Sequence, residues 1–138
     1  MVLDKDNKLW VLCSGGLGVD FPHLIRVNLS TNLIEKDFLF SDKNNSPSRL
    51  VKNGAGEELY FINNSVFKMN ILDGNLPSSV LIQKNTRNFY GLGVDFFTND
   101  IYVTDVKNYI QTGELIIYNV TENKEIKLIS GIIPQFVF

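Results

Sequence analysis

The segment Asn88–Asp105, NFYGLGVDFFTNDIYVTD, contains the pattern that the rest of the chain repeats. It predicts one strand from Tyr90 to Val94, a turn from Asp95 to Asp100 and a second strand from Ile101 to Thr104. β-Branched and aromatic residues favour the two strands, while Asp and Asn favour the turn between them. Because the unit recurs, it decides the fold.

Two further copies of the unit precede this segment. The second strand of each copy has an aliphatic, an aromatic and a hydrophobic residue in succession: Leu9-Trp10-Val11, Leu59-Tyr60-Phe61 and Ile101-Tyr102-Val103. The third strand of each copy ends at an Asn, whose side chain can bond nearby backbone and start a turn: Asn28, Asn70 and Asn119. Four strands in every unit of about 40 to 50 residues predict β-propeller blades. A β-sandwich is the alternative, but aligned repeats favour the propeller.

The predicted fold class is all-β, a β-propeller portion with three four-stranded antiparallel blades plus one extra strand. We expect a single partial propeller domain with blades over residues 1–42, 46–84 and 88–130 and the extra strand over residues 135–138. Three blades cannot close a ring, since propellers have about four or more. The terminal faces therefore need a partner, either remaining blades of a longer parent protein or a second copy of the chain. Trp10, Tyr60 and Tyr102 should pack between sheets at equivalent positions.

Composition limits the classes of partner. The chain is 44% hydrophobic and 20% charged with a net charge of −2, as in an ordinary globular domain. It has no basic run, so we expect no nucleic-acid partner. No apolar run approaches the roughly 18 residues that a membrane helix needs, so we expect no membrane span. The N-terminal sequence has acids and no apolar core, unlike a signal peptide.

The residues that could carry chemistry are few and scattered. Cys13, the single cysteine, ends an apolar run and is expected to be a small buried residue. His23 is expected at the surface, as the first residue of a strand. Asp95 and Asp105 stand at strand ends, where Asp usually bonds turn backbone. We therefore expect no catalytic residue, no metal and no cofactor, and the assignment leans away from an enzyme.

The loops that enter each first strand, and those that join second to third strands, offer the best binding surface. Propeller ligands usually bind on that face, and Tyr and Arg favour recognition. The expected function is a non-enzymatic binding or scaffold module for an unknown small molecule or protein. The candidate ligand-binding residues are Phe21, Arg49, Arg87, Tyr90, Tyr109 and Gln111.

The run Ile101-Tyr102-Val103-Thr104-Asp105 is similar to the YVTN-type repeat of YncE-like β-propellers, whose second strand typically reads Ile-Tyr-Val-Thr-Asn. The order Lys8-Leu9-Trp10-Val11 and the closing Gly-x-x-Pro of residues 131–134 also resemble Bacteroidetes propellers of unknown function. The resemblance implies an exported parent protein in the periplasm or at the cell surface. It leaves one alternative function: the C-terminal part of a lactonase-like or lyase-like propeller enzyme whose catalytic residues lie in missing blades.

Overall fold

A computed structural model describes residues 1–16 and 18–135, and the described chain contains twelve strands and no helix. The first sheet contains β1 (Val2–Leu3), β2 (Lys8–Cys13), β3 (His23–Asn28) and β4 (Leu33–Leu39). The second contains β5 (Ser48–Lys52), β6 (Glu58–Asn63), β7 (Ser65–Asn70) and β8 (Val80–Ile82). The third contains β9 (Phe89–Val94), β10 (Ile101–Asp105), β11 (Thr112–Asn119) and β12 (Lys124–Ile132).

Each sheet is an antiparallel meander in which strands pair in chain order. The three first strands lie next to one another, because β5 contacts both β1 and β9. The second sheet consequently lies between the other two. This is the arrangement of consecutive propeller blades, and the predicted fold class of three four-stranded antiparallel blades is confirmed.

Two hydrophobic cores hold the blades together. The first joins Trp10 and Leu24 of the first blade to Leu59 and Phe61 of the second. The second core has the following members: Tyr60, Ile62, Val66 and Ile82 from the second blade, and Phe89, Leu92, Ile101, Val103, Ile116 and Tyr118 from the third. Successive residues of β6 thus point alternately to the first and to the third blade, as strand geometry requires. A sheet that is buried on both faces does not occur in a two-layer sandwich.

Trp10, Tyr60 and Tyr102 occupy equivalent positions in their blades. Trp10 and Tyr60 lie on the side that faces the next blade in the chain, and Tyr102 lies on the corresponding side of the third blade. We call the face that carries these residues the forward face of each blade, and the opposite face the rear face. Trp10 and Tyr60 are buried between sheets, at 0% and 1% exposure. Tyr102 is only half-buried, because the forward face of the third blade has no described sheet against it. The prediction that it packs between sheets is wrong for the described chain.

The turns after each third strand form as predicted. The side-chain oxygens of Asn28, Asn70 and Asn119 accept the backbone N–H two residues ahead at 3.0, 3.0 and 3.1 Å. Asp95 accepts the N–H groups of its own turn, and Asp105 accepts the N–H groups of residues 88 and 107. The turn interpretation of both acids is confirmed.

Cys13 is exposed, so the prediction that it is buried is wrong. It ends β2 on the rear face of the first blade, opposite His23 of β3, and no described sheet covers that face. His23 begins β3, as predicted, and is half-buried. Its Nδ1 lies 2.6 Å from a carboxylate oxygen of Asp37 on β4.

The last described residues cross the forward face of the third blade. The Thr104 hydroxyl donates to the carbonyl of Pro134 at 2.8 Å and accepts the N–H of Gly91 at 2.7 Å. Of the predicted extra strand over residues 135–138, Gln135 is described and belongs to no strand, while residues 136–138 lie outside the described residues, as does Leu17 in the loop between β2 and β3. Within the described part of the chain, no helix is long and apolar enough to cross a membrane.

Candidate functional site

Three of the six candidate residues come together where the second and third blades meet. The Arg49 guanidinium lies 4.9 Å from the centre of the Tyr90 ring, and its Nε donates to the Tyr90 carbonyl at 2.7 Å. The Tyr109 ring meets the Tyr90 ring edge-on, with centroids 6.1 Å apart. Arg49 is the second residue of β5 and Tyr90 lies in β9, so packing of two blades builds this cluster. We call these three residues the Arg–Tyr cluster.

The backbone of the Arg–Tyr cluster is held in an uncommon conformation. Arg49 and Tyr109 have φ angles of +59° and +66°, and Lys107 in the same loop has +52°. Side chains other than Gly, Asn and Asp rarely adopt this left-handed region, and each instance costs roughly 1–3 kcal/mol. Arg49 adopts it at an irregularity between Ser48 and Val51 in the pairing of β5 with β6. This bulge directs the side chain of Arg49 toward the third blade.

Arg87 lies just before β9 and forms an ion pair with Glu125 of β12. Its two terminal nitrogens donate to the two carboxylate oxygens of Glu125 at 3.0 and 2.6 Å, and its guanidinium lies 5.9 Å from the ring centre of Phe89. The hydrogen bonds from Arg87 hold the pKa of Glu125 below its usual value. They likewise raise the pKa of Arg87. A bidentate pair of this kind fixes the orientation of both side chains.

Gln111 lines an open cleft of about 560 Å³ on the same side of the third blade. The cleft is bordered by the following residues: Thr86, Arg87, Asp105, Lys107, Asn108, Gln111, Glu114 and Lys127. Its volume lies within the range of small-molecule sites, roughly 300–1,000 Å³. Its lining carries both signs of charge, and Lys107 is paired with Glu114 at 2.9 Å. Sequence reasoning identified Arg87 and Gln111 but missed the others, since pairing of β11 with β12 brings Lys127 near them.

Phe21 lies apart from this site. It belongs to the loop between β2 and β3 of the first blade and is 39% exposed. Within the described residues, no aromatic ring contact links it to the other five candidates. A smaller cavity of about 140 Å³ lies between the first and second blades, lined mainly by Phe40, Phe61 and Phe67. It falls below the usual size of a ligand site.

No group of three His, Cys, Asp or Glu side chains in residues 1–16 and 18–135 is arranged to hold a metal ion. No protein-family model matches the chain, and no curated protein matches it at a significant level.

Proposed function

We propose that the chain is a non-enzymatic binding module and that the Arg–Tyr cluster on its loop face is the recognition surface for a protein partner. The observation that carries the proposal is the contact of Arg49, Tyr90 and Tyr109 across two blades. Tyr and Arg, together with Trp, are enriched among the few residues that carry most of the binding energy at protein interfaces. Positioning them before binding lowers the entropy lost on association.

The exposed part of the Arg–Tyr cluster supports a protein partner rather than a small polar one. Tyr109 is 47% exposed and the neighbouring Ile110 is 77% exposed. An exposed aromatic residue next to an exposed aliphatic one forms a compact anchor that a partner can bury. The cleft that contains Gln111 lies on the same side of the blade and supplies polar groups around this anchor, as interfaces usually have a polar rim.

The resemblance to the YVTN-type repeat supports two broader proposals. We propose that the chain belongs to a YncE-like propeller and that the protein acts in the periplasm or at the cell surface of a bacterium. The three blades and the run Ile101-Tyr102-Val103 at the second-strand position are the features that support the family proposal. Export is testable by locating the protein in fractionated cells.

The binding proposal can be tested with a displayed library of random peptides, selected against the immobilised chain. Selected peptides are then titrated by calorimetry against wild type, Tyr109→Ala and a control, Phe97→Ala. Phe97 is 87% exposed in the β9–β10 turn, at the opposite end of the third blade. Truncation of an anchor typically costs more than about 1.4 kcal/mol, so affinity should fall at least tenfold for Tyr109→Ala and stay unchanged for Phe97→Ala. Equal binding to Tyr109→Ala would contradict the proposal.

A further inference from the structure

Two sheet faces of the molecule are largely apolar and have no described sheet against them. One of them, the forward face of the third blade, is crossed near Thr104 by residues 134–135. The forward face of the third blade carries Tyr102, Leu115, Ile117, Ile126 and Leu128, of which Ile126 and Leu128 are 50% and 48% exposed. The rear face of the first blade carries Leu3, Leu9, Val11, Ile25, Val27 and Ile34, of which Leu3 and Ile34 are 43% and 60% exposed. Contiguous apolar patches on a protein surface mark interaction sites.

The rear face of the first blade matches the rear faces that are already buried. Strand pairing places Leu9, Val11, Ile25 and Val27 where the second blade has Leu59, Phe61, Phe67 and Met69. The same positions in the third blade hold Ile101, Val103, Ile116 and Tyr118. Leu59 and Val103, for example, are completely buried against the preceding blade. The first blade therefore keeps an apolar residue at each position that contacts a preceding blade elsewhere.

The forward face of the third blade matches the buried forward faces in the same way. Leu115 stands where the other blades have Leu24 and Val66, both completely buried. Leu128 stands where the other blades have Phe38 and Ile82, which are 9% and 1% exposed. Tyr102 corresponds to Trp10 and Tyr60. These positions are apolar in all three blades, although only two of the three forward faces are covered by a described blade.

We infer that these two faces bind a second copy of the chain head to tail. The forward face of the third blade of one copy packs on the rear face of the first blade of the other. The contact continues an interface that the chain already makes twice, between its first and second blades and between its second and third. A second copy presents both the forward and the rear face that this packing needs. In a six-bladed ring, where three blades span half a turn, two copies make two such contacts and leave neither face open.

The inference is tested by the mass of the 138-residue chain, measured by light scattering over a dilution series. Wild type should form a pair of twice 15.7 kDa. Val11→Glu damages the rear face and Leu128→Glu the forward face, so each variant alone should dissociate at least about tenfold more readily. Phe97→Glu changes an exposed side chain on neither face and should behave as wild type. A monomeric wild type at all concentrations would overturn the inference.

Mixing the two variants separates head-to-tail packing from other kinds of dimer. A Val11→Glu copy keeps its forward face and a Leu128→Glu copy keeps its rear face, so the mixture can form one intact contact. Native mass spectrometry of isotope-labelled copies should detect dimers that contain one copy of each variant, whereas each variant alone should stay monomeric. Recovery in the mixture also excludes misfolding as the cause, and Val11→Thr with Leu128→Asn provides a milder pair. A mixture that stays monomeric, or one variant that still dimerises alone, would overturn head-to-tail packing.

Discussion

The buried carboxylate of Asp4 accepts hydrogen bonds from four groups of the first blade. Its carboxylate accepts the backbone N–H groups of Asp6 and Lys8, both at 2.9 Å, and the indole N–H of Trp10 at 2.8 Å. It also accepts Nε of Arg26 at 3.1 Å, and the Arg26 guanidinium lies 5.7 Å from the Trp10 ring centre. Burial alone would raise the pKa of Asp4, but these hydrogen bonds and the charge of Arg26 together hold it below its usual value.

The network predicts a loss of stability in acid. A carboxyl group whose folded pKa is below its unfolded value, about 3.9, stabilises the fold above that pH. The contribution disappears as pH falls through the lowered pKa of the folded state. We expect Asp4→Asn to reduce the free energy of unfolding by about 1–3 kcal/mol at neutral pH, since it weakens bonds to a buried charge.

Urea unfolding of wild type and Asp4→Asn, followed from neutral pH to about pH 2, measures this effect. Other carboxylates with lowered pKa values, such as Glu125, act equally in both proteins and cancel in the difference. The difference between the two proteins should therefore shrink steadily below about pH 4. A difference that does not change with pH would show that the charge of Asp4 is unimportant.

Gly91 offers a second test at the scale of one residue. A Cβ atom at this position would lie 2.5 Å from the carbonyl oxygen of Gln135 and 2.7 Å from the hydroxyl of Thr104. Gly91→Ala should therefore displace the segment that crosses the third blade and cost about 1–3 kcal/mol in unfolding free energy. Gly131→Ala is the control, since its added methyl group meets nothing within 4 Å. Equal stability of the two variants in urea would contradict the close approach of Gln135.

In the second strand of the central blade, the aromatic residue points to one neighbouring blade, and the residues before and after it point to the other. Leu59 and Phe61 point to the first blade while Tyr60 points to the third. The six-residue strand β6 thus contributes side chains to both hydrophobic cores described above. This explains why the central strands contain runs of hydrophobic residues instead of the polar alternation of a half-solvated sheet.

Truncating the three aromatic residues should rank them by burial. Trp10→Ala and Tyr60→Ala should each cost about 3–5 kcal/mol, as for other large buried side chains. Tyr102→Ala should cost clearly less, about 1–2 kcal/mol, when measured by urea unfolding of the dissociated chain, because its ring is half-exposed. A loss below about 0.5 kcal/mol would instead indicate that the register of β10 is wrong.

Local sequence signals predicted the strands and the Asn-ended turns, because both depend on neighbours in the chain. They could not predict which face of a blade is covered, since alternation only groups residues by face. For that reason Cys13 was expected to be buried and is exposed. The same limit applies to contacts between distant strands. The partners of Arg87 and His23, which are Glu125 and Asp37, follow from sheet pairing and blade packing that no local pattern encodes.

At the scale of the whole molecule, the candidate site depends on blade packing. Arg49 comes from the second blade and Tyr90 and Tyr109 from the third, so the Arg–Tyr cluster exists only while these blades are in contact. The Ile62 and Ile101 side chains of the core between them hold that contact. The same repeat leaves two faces with no described sheet against them, one at each end of the stack, while the two forward faces between the described blades each pack on a rear face.

The position of the second sheet between the other two is tested by a methyl NOE spectrum of the chain with labelled Ile, Leu, Val and Met side chains. We expect NOEs from Leu59 and Met69 to the first blade and from Ile62 and Val66 to the third, since the second sheet is covered on both faces. NOEs from only one face of this sheet would contradict it, because that pattern belongs to a two-layer sandwich and not to stacked blades.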